Sequence, residues 1–354
     1  MPNFLINTDK KLKKIFNEIQ RSDYLGIDTE FIRESTYYPI LALLQISTEK
    51  SNYCIDVLEI DDKEKIKEIL VKKGTLKIIH SSKQDLEVLY TYYDCFPKTI
   101  FDTQIAANLM SIDMNISYSG LVKKFFNIEL KEGSWRTDWL ERPLSDEKLE
   151  YASNDVKYLI PIYKILSKEL IKHKRMDWFK EEQEIELKKE NIITDPKDAW
   201  KKINISTDLT KIQVKKLKFL SEWRENKAIE NNLPKKWVML DTELIKLLLS
   251  EKEKVKEILD NFKKSLSKPD KEYISLNLNK LNDNKQKGKF KIQNNKSNQK
   301  IKECQKLLDQ IAIEYNLPKT LIANKREIDL YSKDQKELRF MSGWRFKIFG
   351  KLLQ

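Results

Sequence analysis

The stretch at residues 24–31, Tyr-Leu-Gly-Ile-Asp-Thr-Glu-Phe, constrains the fold of this chain more than any other. Its apolar approach predicts a buried β-strand, and the alternation of side chains along a strand places Asp28 and Glu30 on the same face. Two carboxylates aimed at one point beside a core are unfavourable unless a cation lies between them or one takes up a proton. A divalent metal site is the functional interpretation. A surface strand end is the structural alternative, because one short motif has low specificity.

Charge is distributed unevenly along the 354 residues. Residues 1–200 carry 31 Lys and Arg against 35 Asp and Glu, whereas residues 201–354 carry 36 against 20, so the net charge changes from −4 to +16. An acidic N-terminal part with a carboxylate cluster, followed by a basic C-terminal part, is typical of a nuclease with a separate module that binds nucleic acid. Lysine-rich composition on solvated helices is the alternative. The length predicts two or three domains.

Cysteines and histidines are too few and too scattered for a zinc site or a disulfide framework. Cys54, Cys95 and Cys304 are far apart in the sequence, which indicates a reducing compartment. The chain has only two histidines. It contains no signal-peptide pattern and no apolar run of about 18 residues. We therefore expect a soluble, cytoplasmic protein that does not contact the membrane.

Strand and helix patterns succeed each other through the first half of the chain. Apolar runs at residues 40–46, 52–55 and 76–80 predict further strands, and amphipathic periodicity predicts helices at 9–20 and 62–71. Short connections make the first strands antiparallel neighbours. The alternation of helix and strand that follows adds a strand of the parallel type. The predicted fold class is therefore α/β, with a mixed sheet flanked by helices.

Asp85 stands where a buried strand gives way to a helix, at the kind of strand end where α/β proteins gather their sites. The local alternative is a capping box, in which Ser82 caps the helix and Asp85 is its acidic partner. When this motif is considered alone, we favour the capping box. Asp102 is most simply the N-cap of another helix. We interpret His80 as a hydrogen-bonded core residue rather than a catalytic one.

A later helix, predicted over residues 146–160, brings a phenol and a carboxylate to one face. Tyr151 and Asp155 are four residues apart and share that face with apolar residues. A carboxylate aligned with apolar neighbours is not expected to face plain solvent. Before this helix, Trp135 and Trp139 lie in a polar loop. They either stack on bases or, as we favour, anchor the loop to the core.

The four acids and the tyrosine, in this order and on these elements, resemble the DEDD superfamily of 3′→5′ exonucleases, in the subgroup with a tyrosine four residues before the last aspartate. Local matches narrow the resemblance to the ribonuclease D family. They lie at residues 28–31, 37–39, 44–46, 79–86, 101–104 and 138–145. The resemblance implies a ribonuclease-H-like catalytic domain, with which the pattern of strands and helices is compatible.

The resemblance also implies two divalent metal ions, and oxygen-only ligands suit Mg²⁺ or Mn²⁺. Asp28 would bridge both ions. Glu30 and Asp155 would hold the ion that carries the attacking water, and Asp85 would serve the second ion. Tyr151 would orient that water, since a phenol with a pKa of about 10 is not expected to be a free base at neutral pH. The candidate substrate-binding residues are Thr29, Phe31 and His80.

The basic half resembles two helical domains of the helicase-and-RNase-D C-terminal (HRDC) type. Residues 223–238, at the end of an amphipathic helix predicted over 211–230, carry the first resemblance, and residues 311–318 and 342–353 carry the second. We predict an exonuclease domain at 1–203, HRDC-like domains at 204–280 and 300–354, and a Lys/Asn-rich linker at 281–299. Lysine-rich faces predict RNA retention, and structural closure around the active site is the alternative.

The leading hypothesis is a metal-dependent 3′→5′ exoribonuclease that releases nucleoside 5′-monophosphates. The resemblance implies RNA 3′-end processing, with tRNA precursors that carry single-stranded 3′ tails as the substrate class. An exonuclease acting on DNA is the first alternative, because the acids do not report on the sugar. A non-catalytic RNA-binding protein is the second, and the complete set of acids disfavours it.

Overall fold

Six strands form one sheet in the part of the chain that the computed structural model describes, residues 3–131, 138–205, 209–262, 266–283 and 297–354. The strands are β1 (Asn3–Ile6), β2 (Tyr24–Ile32), β3 (Ile40–Ser47), β4 (Asn52–Asp56), β5 (Leu76–Ile79) and β6 (Ile100–Asp102). Their order across the sheet is β1-β4-β3-β2-β5-β6. β1 runs parallel to β4, β2 and β6 run parallel to β5, and β3 runs antiparallel to β4. The predicted mixed sheet is confirmed.

Sequence patterns missed β1 and β6. These strands have four and three residues, which is too short for alternation to be recognised. The stretch before Asp102 is therefore an edge strand as well as a helix start. The predicted N-cap is confirmed, because the Asp102 carboxylate accepts hydrogen bonds from the backbone N–H groups of Gln104 and Ile105.

Eight helices that precede residue 189 belong to the same compact unit as the sheet, within the described ranges. They are α1 (Asp9–Arg21), α2 (Lys63–Val71), α3 (Lys83–Tyr93), α4 (Thr103–Leu109), α5 (Tyr118–Phe126), α6 (Asp146–Lys157), α7 (Leu159–Lys172) and α8 (Met176–Glu186). The single helix predicted over 146–160 is divided at Tyr158, whose backbone N–H donates to the Tyr118 hydroxyl at 2.9 Å. This break turns the chain between α6 and α7.

A second compact unit comprises residues 33–40 and the described residues between 189 and 283. Its helices are α9 (Lys189–Ile192), α10 (Lys211–Glu230), α11 (Lys235–Val238), α12 (Asp241–Leu249), α13 (Val255–Asp260) and α14 (Lys268–Asp283), with 3₁₀ turns at Pro196–Lys202 and Lys252–Lys254. α10 has the predicted bounds, and a capping box between Thr210 and Gln213 begins it. Leu217 and Leu220 of α10 are buried against Leu244 of α12. The second unit is thus a helical domain with a core of its own.

The segment of residues 297–354 packs into the first unit. It consists of α15 (Ser297–Glu314), α16 (Lys319–Ile322), α17 (Lys325–Ser332) and α18 (Gly343–Ile348), with 3₁₀ turns at Arg339–Met341 and Gly350–Leu353. Its buried Leu308 and Trp344 share one hydrophobic cluster with Leu166 of α7 and Phe179 of α8. The core that covers one side of the sheet therefore includes residues from the far end of the chain.

The compact units group the residues differently from the domains predicted from sequence. Residues 189–203, predicted as the end of the catalytic domain, belong to the second unit, where Trp200 packs beside α10. Most of the predicted linker, residues 284–296, lies outside the described residues. The domain boundaries stay a prediction about sequence modules. Within the described ranges, no helix combines the length with the apolar composition that a bilayer crossing requires.

Replacement of Trp344 by Ala should destabilise the first unit. Trp344 is 1% exposed, and its indole stacks on Trp178 with 4.7 Å between ring centroids. We expect the free energy of unfolding, measured by urea titration, to fall by about 3–5 kcal/mol. The matched control is Ile313→Ala in the same segment, which is 80% exposed and should change it by less than about 0.5 kcal/mol. Equal effects of the two variants would contradict the shared core.

Candidate active site

Three carboxylates from two elements converge at the centre of the sheet. Asp28 and Glu30 project from β2, and Asp155 projects from the last turn of α6. One carboxylate oxygen of each lies within 4.8 Å of those of the other two. The strand alternation thus brings the first two acids together, and the packing of α6 on the sheet adds the third.

The fourth acid, Asp85, lies in the first turn of α3 and is 6% exposed. Its Oδ1 accepts a 2.6 Å hydrogen bond from the hydroxyl of Thr29 on β2. Ser82 does not cap α3 with its side chain, because the Ser82 hydroxyl donates to Asp102 at 2.7 Å. The capping-box interpretation of Asp85 is therefore wrong. The Asp85 carboxylate is held against β2, the strand that carries Asp28 and Glu30.

Gly26 allows α6 to approach β2 closely. A Cβ atom at this position would lie 2.2 Å from the Ser47 hydroxyl oxygen and 3.1 Å from the backbone oxygen of Val156. The Ser47 hydroxyl itself donates to that Val156 oxygen at 2.8 Å. Asp155 is the residue before Val156, so this contact fixes its distance from Asp28.

Two further tethers hold α6 in place. The side-chain amide of Asn52 on β4 donates to the backbone oxygen of Ser153 at 3.3 Å and to its hydroxyl at 3.2 Å. The hydroxyl of Tyr118 on α5 donates to the backbone oxygen of Asn154 at 2.8 Å. The two residues before Asp155 are thus held by two different elements, β4 and α5, which restricts the orientation of its carboxylate.

Tyr151 lies one turn before Asp155, and its hydroxyl hydrogen-bonds the Asp155 carboxylate. Burial first, and then the charge of Asp155, raise the pKa of the Tyr151 phenol, so it stays protonated. Its ring packs beside Trp139, with 6.1 Å between centroids. Trp139 is 7% exposed and belongs to a buried cluster, which confirms that it anchors its loop. Trp135 lies outside the described residues.

Burial raises the pKa of all four carboxyl groups, and repulsion from neighbouring acids raises the pKa of Asp28, Glu30 and Asp85 further. Burial, followed by the charge of Asp155, raises the pKa of Asp28, and burial followed by the charge of Asp28 raises the pKa of Asp85. Burial and the three other acids raise the pKa of Glu30 to about 10. Burial raises the pKa of Asp155 to about 7, opposed by the hydrogen bond from Tyr151. Without a cation, the cluster therefore retains protons at neutral pH.

This donor set fits a hard divalent cation. The converging atoms are carboxylate oxygens, which suit Mg²⁺ and Mn²⁺. The neighbouring thiol of Cys54 does not compete, since burial and the charges of Asp155 and Glu30 raise its pKa to about 12. A cation among the acids would remove the repulsion that raises their pKa values.

The predicted substrate-binding residues, Thr29, Phe31 and His80, line the same cleft as the acids. His80 Nε2 lies 3.0 Å from the backbone oxygen of Ile116, and Nδ1 lies 2.8 Å from the Thr103 hydroxyl. Because a carbonyl only accepts, we assign the proton to Nε2 and the acceptor role to Nδ1. The hydrogen bonds predicted for His80 are therefore present, at both ring nitrogens. Substrate contacts by the three residues stay a prediction.

Sequence reasoning missed several supports of the site, among them Gly26 and Arg142. A glycine inside an apolar strand signals close approach of another element, and Gly26 carried that signal. Arg142 carried none. Its guanidinium binds both carboxylate oxygens of Asp56 on β4, at 2.6 and 2.7 Å, and donates to the backbone oxygen of Trp139 at 2.6 Å. This pair fixes the loop that leads into α6.

Comparison with known proteins gives consistent matches. Residues 3–171 match the family model described as 3′-5′ exonuclease. Ribonuclease D of Bartonella henselae is 30% identical over 361 residues, which cover 98% of this chain and 88% of the relative. Ribonuclease D of Haemophilus influenzae is 33% identical over 73% of this chain, an alignment that spans 66% of the relative's length.

Two solved structures have a similar fold, one of them over the whole chain. The crystal structure of Escherichia coli RNase D, described as an exoribonuclease involved in structured RNA processing, superposes with a TM-score of 0.82 at 26% identity. The match covers 100% of this chain and 98% of that one. The catalytic core of RRP6 from Trypanosoma brucei shares the fold, with a TM-score of 0.56 at 20% identity over 81% of each chain.

The stability of the protein without metal should fall as the pH rises. The folded-state pKa values of the acids are raised, so the folded protein binds more protons than the unfolded chain, whose carboxyl groups titrate at about 4. The stabilisation is complete below that value and is lost as the pH rises through the folded-state values of about 7 for Asp155 and about 10 for Glu30. Thermal unfolding in EDTA and in Mg²⁺ at pH 5, 7 and 9 measures this, and the Mg²⁺-induced shift in Tm should grow with pH.

The control for this measurement is Asp28→Asn. It removes one charge of the cluster, so it should raise the Tm in EDTA at pH 9 and reduce the shift that Mg²⁺ produces. A Mg²⁺ shift of equal size at every pH would show that the carboxylates do not hold protons in exchange for the cation.

Substitution of Gly26 by Ala should displace α6 and weaken metal binding. The added methyl overlaps the Ser47 hydroxyl and a backbone oxygen that cannot move alone. We expect a loss of about 1–3 kcal/mol in stability and about 10–100-fold in Mn²⁺ affinity measured by calorimetry. Gly74→Ala is the control, because nothing lies within 4 Å of its added Cβ. Unchanged Mn²⁺ affinity in Gly26→Ala would contradict the role of the close approach.

Proposed function

The chain belongs to the ribonuclease D family of 3′→5′ exoribonucleases, and from that premise we propose that it trims RNA 3′ ends by metal-dependent hydrolysis with two divalent ions. The observation that carries the proposal is the convergence of Asp28, Glu30 and Asp155 in a cleft that Asp85 also lines. An oxygen-only cluster whose members repel each other binds divalent cations, and a phosphodiester is the substrate that two such ions act on.

The family resemblance assigns the four acids to the two ions. Asp28 would contact both, Glu30 and Asp155 would complete one site, and Asp85 would contribute to the other. When bound, the ions would make water more acidic and neutralise charge on the phosphate and the leaving 3′-oxygen. Asp85 would keep its orientation through the Thr29 hydroxyl.

Tyr151 would orient the attacking water and would not take its proton. The phenol is protonated, because burial and the neighbouring acids raise its pKa. Its hydroxyl already contacts Asp155, so a water beside that carboxylate is within reach of the same group. Water attack on the terminal phosphodiester would release nucleoside 5′-monophosphates one at a time.

RNA with a single-stranded 3′ tail is the proposed substrate, and tRNA precursors are its proposed class. The description of the E. coli relative, an exoribonuclease involved in structured RNA processing, supports this proposal. The surplus of 36 Lys and Arg over 20 Asp and Glu in residues 201–354 supports RNA retention by this C-terminal part of the chain. The cytoplasmic location expected from the sequence stays a prediction.

Two variants test the mechanism on 5′-labelled RNA with a single-stranded 3′ tail, in Mg²⁺, Mn²⁺ or EDTA. Asp28→Asn should lower kcat by more than about 100-fold and Tyr151→Phe by about 10–100-fold, because a metal ligand contributes more than its neighbours do. RNA binding, measured by filter retention, should change little. The control is Asp177→Asn, a surface acid with a 96% exposed side chain.

The same time course separates the remaining hypotheses. A ladder that shortens from the 3′ end, requires metal and is confined to RNA supports the proposal. Equal degradation of a matched DNA strand would favour the general exonuclease. Binding of RNA without cleavage in either metal would favour the non-catalytic RNA-binding protein.

A further inference from the structure

Helix α8 lies between the edge of the sheet near Asp85 and the segment of residues 297–354. We propose that this segment, acting through Gln183 of α8 and through Asp102, positions Asp85 for metal binding. The inference rests on the proposed function, because it takes from that function the role of Asp85 as a ligand of a metal ion. It assigns positioning roles to residues that are not ligands.

Asp102 holds the turn that precedes Asp85. Its carboxylate is 2% exposed and accepts hydrogen bonds from the backbone N–H of Ser82 at 2.8 Å, the Ser82 hydroxyl at 2.7 Å and the backbone N–H of Ser81 at 3.3 Å. Ser81 has a φ of 57°, a left-handed conformation that residues other than glycine keep only when their surroundings hold it. Asp85 follows three residues after Ser82. The direction of the first turn of α3 therefore depends on Asp102.

Gln183 holds Asp102 from the other side. Its side-chain oxygen accepts the backbone N–H of Asp102 at 2.8 Å, and its side-chain nitrogen donates to the backbone oxygen of Ile100 at 2.8 Å. These are the bonds that another strand would form with the edge strand β6. Four residues earlier, Phe179 packs on Phe101 of β6 with 4.4 Å between ring centroids. Helix α8 thus determines where the end of β6, and with it Asp102, lies.

The C-terminal segment fixes α8 through a buried charged pair. Glu182 is 4% exposed and accepts from the Arg345 guanidinium at 2.6 and 2.8 Å and from the Trp344 indole N–H at 3.2 Å. Arg345 also donates to the backbone oxygen of Leu321 at 2.8 Å. A buried pair with all its hydrogen bonds made defines one geometry, because any displacement leaves a charge without its partner. Glu182 is the residue next to Gln183.

Glu181 and Gly343 add a second tie between the same elements. The Glu181 carboxylate accepts the backbone N–H of Trp344 at 3.0–3.1 Å. A Cβ atom at Gly343 would lie 1.5 Å from a Glu181 carboxylate oxygen, and Gly343 has a φ of 60°. Only glycine fits this contact. Asp85 is therefore supported by hydrogen bonds and packing that link α3, β6, α8 and the C-terminal segment and that do not involve the substrate.

The test uses the full chain with Gln183→Met, which keeps the side-chain length and removes both hydrogen bonds to β6. Mn²⁺ binding is measured by calorimetry without RNA, and hydrolysis is measured on a dinucleotide and on tailed RNA. We expect Mn²⁺ affinity to fall by about 10–100-fold and kcat to fall in parallel on both substrates, with KM for the tailed RNA within about two-fold of wild type. Glu182→Gln, which removes the charge facing Arg345, should produce the same pattern.

Glu184→Gln is the matched control, because it removes an exposed carboxylate from the same helix. It should leave Mn²⁺ affinity and both activities unchanged. Ser82→Ala, which removes a single donor to Asp102, is the milder variant to use if the others do not fold, and it should weaken Mn²⁺ binding several-fold.

Wild-type Mn²⁺ affinity in the folded Gln183 and Ser82 variants would overturn the inference. A loss confined to KM for tailed RNA would also overturn it, because it would assign the segment to substrate retention. Absence of metal-dependent RNA cleavage by the wild-type protein would instead refute the proposed function, so the two failures are distinguishable.

Discussion

The burial of four acids at one site, Asp28, Glu30, Asp85 and Asp155, is the constraint that the surrounding structure has to withstand, and repulsion among the carboxylates adds to it. Each of these groups is less stable as an anion here than in water, as their raised pKa values indicate. The fold opposes their separation by fixing each supporting element independently. Gly26 brings α6 onto β2, and the bonds to Asp102 fix the start of α3. The four acids thus lower the stability of the protein without metal, and a bound cation would offset this loss.

The features that could be predicted from the sequence are those governed by local periodicity. Alternation along β2 places Asp28 and Glu30 on one face, and helical spacing places Tyr151 beside Asp155, so the residue pattern alone supports most of the metal-site hypothesis. The mixed sheet and the bounds of α10 were predictable for the same reason. Resemblance to the family supplied the division of roles, which periodicity does not contain.

The features that were not predicted depend on contacts between distant residues. The sequence around Asp85 satisfies the pattern of a capping box. The box does not form, because Ser82 hydrogen-bonds Asp102 and Asp85 hydrogen-bonds Thr29, and the sequence does not show either contact. Strands as short as β1 and β6 exist because neighbouring strands pair with them. The packing of residues 297–354 into the first unit likewise has no local signal, since an amphipathic helix does not specify which core it joins.

That packing has a consequence for the order in which the protein is made. Glu182 meets Trp344 and Arg345 across 162 and 163 positions of the chain. During synthesis, all four acids and the second compact unit are therefore present before the C-terminal residues that complete the hydrophobic core of the first unit. Domains of many proteins fold in sequence from the amino end during translation. In this chain the first residues of the catalytic unit are synthesised early, and the residues that complete its core are synthesised last. The contacts between them are long-range in sequence, and such contacts form slowly.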